Sequence, residues 1–172
     1  MRTLVLGGIR SGKSRWAEQS LAAEPKVRYI ATGTGTGSGE DESWRRRVAE
    51  HRSRRPRNWQ TVETTAVATA LRDDSHTATV VDDIGGWLTG VLDRRGWESP
   101  SVDADVEDLV AAVAAFAGPL VLVSPEVGLC VVSATAAGRR FTDEIGILNQ
   151  RLAQHCARVV LVVAGQPMWV KS

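Results

Sequence analysis

Thr3-Leu4-Val5-Leu6-Gly7-Gly8-Ile9-Arg10-Ser11-Gly12-Lys13-Ser14 is the stretch whose reading decides the fold. A buried-type apolar run feeds directly into the spacing G-x-x-x-x-G-K-S, from Gly7 through Gly8, Ile9, Arg10, Ser11 and Gly12 to Lys13 and Ser14. Glycines at these positions let the chain turn tightly, so that successive backbone N–H groups point inward around a di- or triphosphate. Lys13 then reaches the outer phosphates, and Ser14 offers a hydroxyl to Mg²⁺. A helical pattern opens at Lys13 and continues to Ala22, which aims the positive end of a helix dipole at the same anion. A strand before the loop and a helix after it are the context this motif requires, and a chance glycine-rich turn supplies neither.

Working outward, the chain of 172 residues, 43% hydrophobic and 24% charged, reads as a single globular domain over 1–172. A net charge of +1 argues for neither a nucleic-acid coat nor an acidic tail. No apolar run approaches the roughly twenty residues of a spanning helix. The amino terminus enters a strand at once, so the expected location is the cytoplasm. Cys130 and Cys156 do not make a disulfide framework and are expected as buried thiols. The basic residues are uneven: of the 21, only Lys13, Lys26 and Lys171 are not arginine, and Arg45, Arg46, Arg47, Arg52, Arg54, Arg55 and Arg57 crowd one segment.

Strand and helix signals alternate along the rest. Val27 to Ala31 reads as a strand, followed by Thr32 to Gly39, a Thr-Gly repeat expected to be a mobile loop that a ligand orders, with a second phosphate cradle as the sharper alternative. A helix is expected from about Asp41 to Ser53, stopped by Pro56. Trp59 to Glu63 is a strand, Thr65 to Leu71 a short helix, and Ala78 to Asp83 a β-branched strand ending in two acids. In a parallel sheet such an acid stands at the same edge as the phosphate loop and suits a magnesium contact, with Asp82 first and Asp83 in reserve. Further helices are expected over Ile84–Arg94, interrupted at Gly85-Gly86, over Asp103–Phe116 and from about Arg139 to Cys156. The last carries Phe141, Ile145, Leu148, Leu152 and Cys156 on one stripe. Strands Pro119–Ser124 and Val159–Val163, with a short final strand at Met168–Val170, complete the series. The expected class is α/β, P-loop NTPase-like, with a mainly parallel sheet and helices on both faces.

His51 stands at helical spacing from Arg47 and Arg55, with Arg52 beside it. Neighbouring positive charge favours a neutral, nucleophilic imidazole. The plainer alternative is an incidental histidine on a solvated basic helix.

Several stretches together resemble the bifunctional adenosylcobinamide kinase / adenosylcobinamide-phosphate guanylyltransferase family of cobalamin biosynthesis. They are Gly7-Gly8-x-Arg10-Ser11-Gly12-Lys13-Ser14, Tyr29-Ile30-Ala31-Thr32, Arg47-Val48-x-x-His51-Arg52, Arg55-Pro56-x-x-Trp59-x-Thr61-x-Glu63, Glu126-Val127-Gly128 and Phe141-x-Asp143-x-x-Gly146-x-x-Asn149-Gln150. The resemblance implies phosphoryl transfer from ATP or GTP to adenosylcobinamide, then GMP transfer from GTP through a guanylyl-histidine. It implies that His51 is the guanylylated residue, that Arg52, Arg55, Glu63 and Asp82 join the loop in nucleotide binding, and that Ser14 and Asp82 hold Mg²⁺. It also implies a homotrimer acting on small corrinoid and nucleotide substrates, with no nucleic acid and no membrane span. The chain departs from the family pattern at Pro125, Cys130 and Ser133. A P-loop small-metabolite kinase without the guanylyl step, and a nucleotide-switch or nucleic-acid-associated ATPase that does no small-molecule chemistry, are the competing classes.

Overall fold

The computed structural model describes residues 1–33, 56, 58–98, 101–129 and 131–172. Seven strands form one sheet: β1 (Arg2–Gly7), β2 (Val27–Ala31), β3 (Trp59–Glu63), β4 (Ala78–Asp82), β5 (Leu120–Pro125), β6 (Arg158–Val163) and β7 (Gln166–Lys171). Their spatial order is β3-β2-β4-β5-β1-β6-β7. Every neighbouring pair is parallel except β6 and β7. The β6–β7 link is the two-residue turn Ala164-Gly165, with φ of 50° and 77°, the positive angles that a tight hairpin between twisted strands requires.

Five described helices flank the sheet: α1 (Lys13–Ser20), α2 (Val67–Asp73), α3 (Ile84–Arg95), α4 (Asp103–Ala115) and α5 (Ala136–His155). Side chains alternate along each strand, so one run serves two cores. Leu4, Ile30, Val81, Leu120 and Leu122 join a large apolar cluster with α2, α3, α4 and α5. Val5, Tyr29, Val80, Val121, Val123, Val160 and Val162 face the opposite way, against Ala17 and Leu21. Helices therefore lie on both faces, but unevenly: among the described residues only α1 covers the second.

Most of the sequence-based boundaries hold to within a few residues. One differs in kind. Gly85-Gly86 does not interrupt a helix; it lies in the unbroken first turn of α3, whose N-cap Asp83 accepts from the Gly86 N–H at 2.5 Å. A Cβ on Gly85 would come within 2.7 Å of the Pro125 ring, so the glycine permits the helix start to press on the end of β5. The apolar stripe of α5 is seen, with Ile145, Leu148, Leu152 and Cys156 buried. Burial pushes the Cys156 thiol up to about 11. The expected Thr-Gly loop beyond Gly33, the Asp41–Ser53 helix and Cys130 lie outside the described residues.

Two buried or half-buried arginines tie helix ends to the sheet. Arg2 donates to the carbonyls of His155 at 2.7 Å, Ala114 at 2.8 Å and Phe116 at 3.0 Å, at the ends of α5 and α4. Arg28 donates to the carbonyls of Ala70 at 2.6 Å and Asp74 at 2.7 Å, at the end of α2. Both place a cation where helix carbonyls lack intrahelical donors.

Candidate active site at the carboxyl edge of the sheet

The phosphate loop bridges the end of β1 and the start of α1. Gly12 takes the left-handed conformation, φ 94°, as the N-cap of α1. A Cβ there would meet the Gly165 Cα at 3.1 Å, so this glycine meets both a conformational and a spatial demand. The loop is braced from two sides. Gly165 N–H donates to the Ser11 carbonyl at 2.8 Å, and Glu126 N–H donates to the Gly7 carbonyl at 3.1 Å. Lys13 Nζ donates to the Gly8 carbonyl at 3.3 Å, which holds the ammonium across its own loop.

Parallel pairing brings Asp82 to the same edge. β4 and β1 are separated by β5, yet Ser14 Oγ donates to Asp82 Oδ1 at 3.2 Å. Tyr29, in the middle of β2 and almost fully buried, donates its hydroxyl to Asp82 Oδ2. Both carboxylate oxygens are thereby oriented. Ser14 and Asp82 form a hard-oxygen pair beside a phosphate cradle, the donor chemistry that suits Mg²⁺ completed by phosphate and water. Among the described residues no cluster of three or more His, Cys, Asp or Glu side chains stands together.

Asp83 is differently employed. Its side chain caps α3, and Thr32 Oγ1 accepts from its N–H at 3.1 Å while donating to its carbonyl at 2.5 Å. Burial, then the adjacent Asp82 charge, raises its pKa, opposed by the Gly86 N–H and by Lys13. Asp83 thus shapes the edge rather than presenting a free carboxylate to it. Glu63 ends β3, and Ala31 of β2 pairs with both Glu63 and Asp82, so the two acids flank one residue at the sheet edge. His51, Arg52 and Arg55 lie outside the described residues.

Three contributors escape a reading of the motifs alone. Tyr29 and Thr32 belong to a strand and its end, with no spacing that marks them as partners of Asp82 and Asp83. Asn149 of α5 is buried; its Oδ1 accepts from Ser124 Oγ at 2.6 Å and its Nδ2 donates to the Pro125 carbonyl at 3.1 Å. It anchors the turn that carries Glu126, whose carboxylate accepts from Gly128 N–H at 2.7 Å. The Tyr-Ile-Ala-Thr and Asn-Gln stretches are the only sequence signals that touch these residues.

Comparison with known proteins bears on the same stretches. The profile of the family described as cobinamide kinase / cobinamide phosphate guanyltransferase matches residues 3–170. A relative from Pseudomonas aeruginosa, named bifunctional adenosylcobalamin biosynthesis protein CobP, is 44% identical over all of this chain and 98% of its own length. The proteins named bifunctional adenosylcobalamin biosynthesis protein CobU from Salmonella typhimurium and Escherichia coli are 34% and 32% identical, each over 99% of this chain and 100% of their own length. Among solved structures, a prototypical ATPase from the type III secretion system of pathogenic bacteria superposes with a TM-score of 0.57 at 14% identity. The match covers 93% of this chain and half of that one, and it bears on the fold alone.

Proposed function

Because the chain belongs to the cobinamide kinase / cobinamide phosphate guanyltransferase family, we propose that it phosphorylates adenosylcobinamide and then transfers GMP to the product. In the first step the aminopropanol hydroxyl attacks the γ-phosphorus of ATP or GTP, forming a P–O bond and releasing the nucleoside diphosphate. In the second, His51 attacks the α-phosphorus of GTP and pyrophosphate leaves. The cobinamide phosphate oxygen then breaks the resulting N–P bond, giving adenosylcobinamide-GDP and restoring the imidazole.

The contact between Ser14 and Asp82 is the observation that carries the kinase half. It sets a hydroxyl and a carboxylate at the mouth of the phosphate loop, where Lys13 offsets charge on the transferred group. Mg²⁺ held there would neutralise phosphate charge in the transition state. Arg52 and Arg55, with Glu63, are assigned to nucleotide binding during the guanylyl step. We assign the whole of 1–172 to one catalytic unit, a cytoplasmic homotrimer using small corrinoid and nucleotide substrates. Among the described residues no helix is long and apolar enough to cross a membrane.

Purified protein given adenosylcobinamide, ATP and Mg²⁺ should convert the corrinoid to a species heavier by one phosphoryl group, and added GTP should carry it to the GDP derivative. A corrinoid that stays unmodified with either triphosphate would refute the proposal. Asp82→Asn should raise the Mg²⁺ concentration for half-maximal turnover by about tenfold or more, as loss of a metal-orienting carboxylate does. An unchanged Mg²⁺ titration would transfer that role to Glu63 or Asp83.

A further inference from the structure

Glu126 leaves the sheet at the mouth of the phosphate loop. The strand it follows, β5, lies between β1, which carries the loop, and β4, which carries Asp82. Pro125 pairs with Gly7 and Val123 with Asp82, so Glu126 is the first residue past the strand end, at the level where the loop begins. We propose that the Glu126 carboxylate is the general base of the kinase step, accepting the proton of the aminopropanol hydroxyl as that oxygen attacks the γ-phosphorus. The new O–P bond forms while the bond from the γ-phosphorus to the β,γ-bridging oxygen breaks. Its electron pair leaves with the nucleoside diphosphate, and the proton passes from the carboxyl group to water. The inference rests on the kinase reading above and adds to it the group that takes the proton.

The backbone at this point is fixed from both sides. Glu126 N–H donates to the Gly7 carbonyl at 3.1 Å, and Asn149 Nδ2 donates to the preceding Pro125 carbonyl at 3.1 Å. The residue is half-buried, and its Oε1 accepts from Gly128 N–H at 2.7 Å. Among the described residues no hydrogen bond or ion pair engages its other oxygen. A carboxylate held at one oxygen and open at the other is oriented and still able to accept a proton. The other acids of this edge are engaged or more distant. Asp82 meets Ser14 and Tyr29 through its two oxygens, Asp83 caps α3, and Glu63 ends β3, which β2, β4 and β5 separate from β1. In-line displacement sets the attacking oxygen opposite the leaving diphosphate, so the base is needed beyond the loop rather than within it. The segment after Glu126 suits a bulky acceptor: Leu129, Val131 and Val132 are 83%, 92% and 77% exposed, an apolar surface of the kind that meets a ligand.

The test compares Glu126→Gln and Glu126→Ala with the wild type in single turnovers of phosphoryl transfer, using ATP, Mg²⁺ and adenosylcobinamide. Glutamine keeps an amide oxygen for Gly128 N–H and removes only the proton acceptor. Both variants should transfer the phosphoryl group about a hundredfold or more slowly, the contribution of a positioned base. Their Mg²⁺ titrations, and their affinity for AMP-PNP by calorimetry, should match the wild type. A carboxylate that only holds the turn gives a different split, a near-normal rate in Glu126→Gln with a loss confined to Glu126→Ala, and that result would overturn the proposal. So would a raised Mg²⁺ requirement or weakened AMP-PNP binding in Glu126→Gln, which would make the residue a metal or nucleotide contact. These results leave phosphorylation by the wild type intact, so the kinase reading survives them. Wild-type protein that leaves adenosylcobinamide unmodified would sink both.

Discussion

His51→Ala is expected to abolish covalent GMP on the protein and, with it, formation of adenosylcobinamide-GDP, while phosphorylation of adenosylcobinamide continues. The two halves separate because they ask different things of the chain. In the proposed reaction, phosphoryl transfer to a hydroxyl would rely on the loop, Lys13 and the pair Ser14 and Asp82 proposed to hold Mg²⁺, with no covalent intermediate. Guanylyl transfer needs a nucleophile; in the proposed reaction that group is His51, and the arginines near it in the sequence would favour a neutral imidazole and stabilise departing pyrophosphate. Mass spectrometry after incubation with GTP and Mg²⁺ reads the outcome. Wild type should gain one GMP through a bond labile to acid and stable to base, the behaviour of a phosphoramidate. An adduct that survives in His51→Ala, carried by His76 or His155, would identify a different nucleophile. No adduct in the wild type would favour a kinase without the second step.

Lys13→Ala is expected to reduce the kinase rate by about a hundredfold or more, the size of effect found when a charge that meets the transition state is removed. Lys13 sits at the start of α1 and already spans its loop to Gly8. Alanine preserves the helix and removes only the ammonium. Steady-state rates with ATP and adenosylcobinamide measure the loss, and near-normal turnover would take the loop out of the chemistry.

The parts of this fold that sequence reveals are those with local causes. β1, β2, β3 and β4 are short β-branched or apolar runs bounded by turn residues, and their limits fall within a residue of expectation. The phosphate loop announces itself because glycine, lysine and serine must occur at fixed intervals. Asp82 is legible one step further on, since parallel strands share a carboxyl edge. Tyr29 is not. Its partner is 53 residues away, and only the pairing of β2 with β4 brings the phenol to that carboxylate. Asn149 is hidden for the same reason, its polar contacts lying across the junction of α5 and β5. Gly85-Gly86 misleads because helix propensity says break, while the close approach of Pro125 favours a residue without a side chain. The crowding of four of the described helices on one face is a property of crossovers, which no local window contains.

Strand order also sets a timetable. β1 emerges from the ribosome before β5 and β6, yet it stands between them, so Thr3 waits for Val121 on one side and Arg158 on the other. The phosphate loop waits longer still, since its brace from Gly165 lies beyond both. During synthesis the nucleotide cradle is therefore made before the strands that fix it and takes shape only after them. Pairings that span so much chain are slow to form, and a nascent protein interrupted before the final hairpin would carry the motif without the geometry that makes it bind.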